Sequence, residues 1–130
     1  PEATAIVKKI LNVYKEDVET GKITALTKDG TREIINGTFD WVYEEELFCK
    51  DGFRWSGDGS KLAIWQLDAS EIKNFSMINN TDSIYSSIIP VQYPKVGEDP
   101  SSAKVGSIDL TTKKNNLDEN TRRPKTKLFA

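Results

Sequence analysis

Three carboxylates stand side by side at Glu44-Glu45-Glu46, inside the segment Asp40-Trp41-Val42-Tyr43-Glu44-Glu45-Glu46-Leu47-Phe48. Adjacent carboxylates repel and raise one another's pKa unless a cation sits among them. On a helix, neighbouring side chains are about 100° apart, so two adjacent Glu near a helix start can converge on one point. A pair held that way would receive an ammonium group through charge-assisted hydrogen bonds. The competing reading is a solvated acidic helix face, the usual fate of a charge run. Other chemistry is thin. The chain has no His, which excludes Ser-His-Asp and Cys-His machinery and imidazole metal sites within it. One Cys, Cys49, excludes an internal disulfide and a Cys-rich zinc site; without a His partner it reads as a small hydrophobe, not a nucleophile. Asp58 lies in an Asp-Gly turn with no run of alternating oxygen ligands after it, so it reads as hairpin chemistry and not as calcium binding. Three glycosylation sequons begin at Asn36, Asn74 and Asn79, and matter only in a eukaryotic secretory host. No cofactor and no metal is implied.

The elements that must position the acidic run are mostly strands. Asp40 is a suitable N-cap, and the Glu residues favour a helix start through the dipole, which predicts one short helix of about two turns. Trp41, Val42, Leu47 and Phe48 are the residues expected to hold it against its support. Around it the rhythm is β. Asp17 to Thr27 reads as strand, tight turn and strand, with Gly21 supplying positive φ. Turns at Lys28-Asp29-Gly30 and Asn36-Gly37 bracket a short strand at Arg32–Ile35. Phe53–Ser56 and Lys61–Asp68 are strands joined by Gly57-Asp58-Gly59-Ser60. Leu62, Ile64, Gln66 and Ala63, Trp65, Leu67 fall on opposite, largely apolar faces, which predicts a central strand buried on both sides. Further strands are expected around Phe75–Ile78, within Tyr85–Tyr93 and at Lys104–Leu110. Near the start, helical spacing over Ala5–Tyr14 competes with a strand over Leu11–Val18. The polar stretch Lys113–Lys127 reads as a solvated, poorly ordered tail. Asp17-Val18-Glu19-Thr20-Gly21-Lys22 is echoed weakly by Asp109-Leu110-Thr111-Thr112-Lys113-Lys114. Short, evenly spaced strands with such an echo point to blade-like sheets.

The whole-chain figures bound the reading. The chain has 130 residues, 20 acidic against 18 basic, for a net charge of -2, which argues against a nucleic-acid footprint. Its 37% hydrophobic content and mean hydropathy of -0.52 are low for a self-sufficient core. Twelve aromatics (three Trp, four Tyr, five Phe) still set it apart from a disordered chain. Apolar runs are too short to cross a bilayer as a helix, and Pro1-Glu2-Ala3-Thr4 has no signal-peptide character. A start without Met leads us to expect a cut N-terminus.

The segment Asp40–Phe48, the hairpin Phe53–Gln66 and Val91-Gln92-Tyr93-Pro94-Lys95-Val96-Gly97 together resemble the N-terminal β-propeller of dipeptidyl peptidase IV-type serine peptidases, bacterial members above all. The resemblance runs from about Asp17 to Leu110. It implies an all-β fold: a partial β-propeller of about two to three blades with one short acidic helix inserted. Residues 1–16 are left as an uncertain N-terminal segment, 17–112 as the propeller fragment and 113–130 as the polar tail. The resemblance further implies that Glu45 and Glu46 bind the free α-amino group of a peptide substrate, while Asp40, Trp41, Tyr43 and Glu44 support the helix. Such peptidases carry their Ser, Asp and His on an α/β-hydrolase domain, and no Gly-x-Ser-x-Gly elbow occurs here. The expected partners are therefore a peptide with a free N-terminus, that missing domain and the remaining blades, in a parent that could be homodimeric and extracytoplasmic. The alternative is a non-catalytic propeller module for protein interaction.

Overall fold

A computed structural model describes residues 11–112 and the backbone of 115–117. The competing N-terminal helix falls mostly outside the described residues; within them, Tyr14–Glu16 is a strand, β1. It pairs antiparallel with β2, Ile23–Ala25, so that Glu16 faces Ile23. The strand stops before Asp17, earlier than the sequence pattern predicts. The reason is local: the Asp17 carboxylate accepts from the Thr20 backbone N–H at 2.9 Å and the Thr20 hydroxyl at 2.8 Å, which folds the chain into a turn. Gly21 takes the positive φ of 67° that closes it.

The main sheet is built around β5, Lys61–Asp68. One edge of β5 pairs along its whole length with β8, Ser102–Asp109. The other edge is shared by two short strands, β3 (Ile34–Asn36) and β4 (Phe53–Trp55). Outside β8 lies β9, Asn115–Leu117. The result is an antiparallel sheet in the order β3/β4, β5, β8, β9. β9 falls in the stretch expected to be an unpaired tail; the rest of that tail lies outside the described residues. A separate two-stranded sheet joins β6 (Asn74–Asn79) to β7 (Ser87–Gln92). Pro90 is tolerated in β7 because a two-strand sheet consists of edges.

Among the described residues the fold is therefore mostly antiparallel β with one short helix. The weak sequence echo has a structural counterpart. Ile108 faces Asn115 across the β8–β9 loop as Glu16 faces Ile23 across the β1–β2 loop, and the two loops have the same span. The Asp109 carboxylate accepts from the Thr111 and Thr112 N–H groups at 2.9 and 2.8 Å, the device that Asp17 uses.

The core is two clusters. Ile35, Phe39, Tyr43 and Leu67 form one, with Leu11, Cys49 and Ala103 packed against it. Leu62, Ile64 and Ile108 form the other, beside Val13, Leu26 and Leu110. Cys49 is thus a half-buried packing residue. The expectation that β5 is buried on both faces is corrected: it is central in pairing, but Ala63 is exposed and Trp65 is 39% exposed. Among the described residues that face is covered only toward its Leu67 end, where Leu67 is buried beside Phe39 and Tyr43 and the Phe39 ring lies 5.9 Å from Trp65.

Candidate functional site

The helix grows from an interruption of the sheet. Residues 37–52 leave between β3 and β4 and return to the same edge of β5. Trp65 closes the gap: its carbonyl accepts from Gly37 N–H at 2.8 Å, and its N–H donates to the Gly52 carbonyl at 2.8 Å. Gly52 N–H also donates to the Gly37 carbonyl at 3.2 Å. Glycine is required here. A Cβ on Gly52 would lie 2.6 Å from the Gly37 carbonyl carbon and 2.8 Å from the Thr38 nitrogen, and Gly37 has φ 71°. A polar cluster of buried Asn36 and Gln66 with exposed Asp29 fixes the end of β3. Asn36 Nδ2 donates to Asp29 Oδ1 at 3.0 Å, while Gln66 Nε2 donates to Asp29 Oδ2 at 2.9 Å and to Asn36 Oδ1 at 2.8 Å. The Asn36 sequon is therefore closed to modification in the folded chain. Asn36 is buried, and its amide is engaged.

On this base stands helix α1, Trp41–Glu45. It is shorter than the expected two turns. Five residues cannot sustain a helix by propensity, so tertiary contacts must hold it. Asp40 is the N-cap, as its type predicts, and one carboxylate oxygen accepts from Tyr43 N–H at 3.1 Å. Its other oxygen accepts from the Ser101 hydroxyl. The Tyr43 hydroxyl donates to the Ser101 carbonyl at 3.0 Å. Burial of the Tyr43 ring, followed by the nearby Asp40 charge, pushes its hydroxyl pKa up, so it stays a donor at neutral pH. Tyr43 stacks on Phe39, with ring centroids 5.9 Å apart. Trp41 packs on Tyr93 at 4.4 Å, which ties the helix to the chain leaving β7.

The supporting residues thus divide differently from the sequence pattern. Val42 and Tyr43 are buried, and Trp41 is partly covered by Tyr93. Leu47 and Phe48, expected to anchor the helix, are exposed, Phe48 at 81%. The helix ends one turn too early to bring them back to the sheet. Phe48 instead takes φ 55°, reversing the chain so that Cys49 N–H reaches the Tyr43 carbonyl at 2.9 Å. Phe39, Tyr93 and Ser101 were not foreseen as supports. Phe39 sits one residue before the cap and could have been noticed as an apolar residue there. Ser101 lies in a loop by composition, and nothing local marks it.

Glu44 is half-buried, and Glu45 and Glu46 are exposed at the end of the helix. Among the described residues no cation pairs with these three carboxylates. The arrangement is a fixed helix carrying two adjacent, solvent-facing carboxylates at its free end. Among the described residues no group of acidic and sulfur ligands is gathered as a metal site.

The family described as "Dipeptidyl peptidase IV (DPP IV) N-terminal region" matches residues 5–128. The chain belongs to this family. The match extends past Asp17 and Leu110, the limits of the resemblance in the sequence motifs. Dipeptidyl aminopeptidase B of Saccharomyces cerevisiae is 39% identical over 91 residues, covering 66% of this chain and 11% of that protein. Inactive dipeptidyl peptidase 10 of Mus musculus is 33% identical over 99 residues, covering 75% of this chain and 12% of that protein. The crystal structure of Porphyromonas gingivalis dipeptidyl peptidase 4 superposes with a TM-score of 0.79 at 25% identity, covering 92% of this chain and 17% of that one. The dipeptidyl peptidase IV family likeness establishes a propeller-like β-fold and an association with peptidases. The chain spans 9% to 14% of the length of the first curated relatives it matches.

Proposed function

We propose that this chain is part of the propeller of a dipeptidyl peptidase IV-like serine exopeptidase, and that Glu45 and Glu46 receive the substrate's free N-terminus. The single observation that carries the reading is the pair itself: two exposed carboxylates at the end of a helix whose other end is capped and pinned. An α-amino group has an ordinary pKa of about 7.7–8.0 and is mostly cationic at neutral pH, so it gains by pairing with them. A fixed amine anchor at one distance from a nucleophile measures off two residues, so that an acyl-transfer enzyme releases dipeptides. Asp40, Trp41, Tyr43 and Glu44 hold the anchor in place.

The partners follow from the same reading: a peptide with a free N-terminus, an α/β-hydrolase domain bearing the catalytic Ser, Asp and His, and further blades. Residues 17–112 are assigned to the propeller together with β1 and β9, which lie just outside those bounds: the β3/β4, β5, β8, β9 sheet is one blade and β1–β2 the end of the preceding one. The repeated Asp-led loops at the ends of both support that division. A homodimeric, extracytoplasmic parent is part of the proposal.

The test is the double variant E45Q/E46Q in the full-length protein, with kcat/KM measured on an X-Pro dipeptide amide. We expect a loss greater than about tenfold, or 1.4 kcal/mol; a smaller loss overturns the role. A second reading, a non-catalytic interaction module, is favoured by the likeness to a relative named as inactive. The gene sequence after this segment separates the two. A Gly-x-Ser-x-Gly followed by Asp and His supports the peptidase, and their absence supports the module.

A further inference from the structure

We infer that Ser101 is a positioning residue for the acidic pair, a role that rests on the amine-binding reading above. Its side chain and its backbone hold the same helix by two different residues. The Ser101 hydroxyl donates to Asp40, the N-cap, and the Ser101 carbonyl accepts from the Tyr43 hydroxyl, three residues further on, at 3.0 Å. Asp40, Tyr43 and Ser101 therefore close a ring of hydrogen bonds, since Asp40 also accepts from Tyr43 N–H. Ser101 is 1% exposed, so water does not compete for these bonds.

The ring has a firm foundation. Ser101 immediately precedes β8, which is paired with β5 from Ser102 to Asp109. The base of the excursion rests on β5 as well, through Trp65. The helix is thus held at two points by adjacent strands of one sheet, from residues far apart in sequence. Removing the Ser101 hydroxyl leaves the cap bond from Tyr43 N–H to Asp40 intact but frees the second carboxylate oxygen. The helix then keeps its form and loses one of the constraints on its direction. A displacement at its start is carried to Glu45 and Glu46, whose side chains make no hydrogen bond or ion pair among the described residues to correct it.

The distinctive consequence is a loss of preference for a free amine, with the fold retained. The readout is the dissociation constant of the N-acetyl form of an X-Pro dipeptide divided by that of the free dipeptide, measured by calorimetry on the full-length protein. Ser101→Ala is expected to shrink that ratio about tenfold. Ser101→Thr, which keeps the hydroxyl, is expected to restore it to within about threefold of the original. Tyr43→Phe, which cuts the ring from the other side, is expected to change it in the same direction as Ser101→Ala and decides the matter if neither Ser101 variant folds. An unchanged ratio in Ser101→Ala, or equal weakening of both ligands, overturns the proposal. The E45Q/E46Q variant in the same assay separates the two levels. If it leaves the ratio intact, the amine-binding reading fails, and the Ser101 role with it. If it abolishes the preference while Ser101→Ala leaves the ratio unchanged, only the Ser101 role fails.

Discussion

Residues 37–52 and residues 69–101 both leave the main sheet and return to it, yet they are built by opposite rules. The first excursion is short, meets itself at Gly37 and Gly52, and buries Phe39, Val42 and Tyr43. The second carries the β6–β7 hairpin, whose large apolar residues Met77, Ile78, Ile84, Tyr85 and Ile88 are all exposed. Its attachments are near its base. Arg32 donates to Asn74 Oδ1 at 3.0 Å and to the Pro90 carbonyl at 2.5 Å, and Gln92 Nε2 donates to the Ala69 carbonyl at 2.8 Å. The two excursions meet at Trp41 and Tyr93. What separates them is which contacts are internal. The helix carries its polar ends outward on a buried base, whereas the hairpin carries apolar side chains outward on a polar base.

Paired truncations on the two sides are the strongest way to break that contrast. Leu67 is 0% exposed and belongs to the cluster beneath the helix, so Leu67→Ala should cost about 2–5 kcal/mol. Ile78 is 69% exposed, and Ile78→Ala should stay within about 0.5 kcal/mol. Hydrogen exchange at the β5 amides of the full-length protein checks both. Comparable losses would mean that the hairpin face is covered in the assembled protein. The next effect concerns the pinch. Gly52→Ala forces a Cβ against the backbone of Gly37 and Thr38 and should cost about 1–3 kcal/mol, with faster exchange at Trp65 N–H. Gly97→Ala, near the return of the second excursion, meets no atom; only its φ of 87° opposes the change, and the cost should be about 1 kcal/mol. Equal effects would show that the first excursion is not specially closed.

Much of this was legible in the sequence wherever the cause is local. Asp40 acts as the cap that its type predicts, Lys61–Asp68 is a strand over its predicted length, and Gly21 supplies the turn. The acidic run could be found, and its chemistry argued, from residue types alone. What could not be read depends on residues distant in the chain. Tyr43 replaces Leu47 and Phe48 as the buried anchor because Ser101 and Phe39 receive it. β9 was missed because its pairing is supplied by β8, not by its own polar residues. Trp65 looked like core because periodicity reports apolar faces, and it cannot report whether a second layer lies over one of them.

A smaller effect separates fixed from merely near. Lys73 and Glu98 form an ion pair at 2.9 Å beside the base of the hairpin, with both side chains exposed. Lys73→Gln should change stability by less than about 1 kcal/mol, and salt should erase the difference. The exposed turns of the sheet provide the finest control, because they show that exposure alone does not mean loose attachment. Asp58 is held by the Ser56 hydroxyl at 2.6 Å and by the Ser60 N–H at 3.0 Å, and these bonds lower its pKa to about 2. Hydrogen bonds from Thr20 and Thr112 lower Asp17 and Asp109 in the same direction. A carboxylate whose folded pKa is depressed binds its proton less readily folded than unfolded. Its contribution is therefore complete above its ordinary pKa and fades as pH falls toward the folded value. For Asp58 that window runs from the ordinary carboxylate range near 3.8 down to about 2. A carbon-detected titration should find the Asp58 midpoint near the lower end, and Ser56→Ala should raise it, because the Ser56 hydroxyl is the largest cause. If Ser56→Ala leaves the midpoint unmoved, the turn is not fixed by that bond, and exposure and looseness cannot be separated at this site.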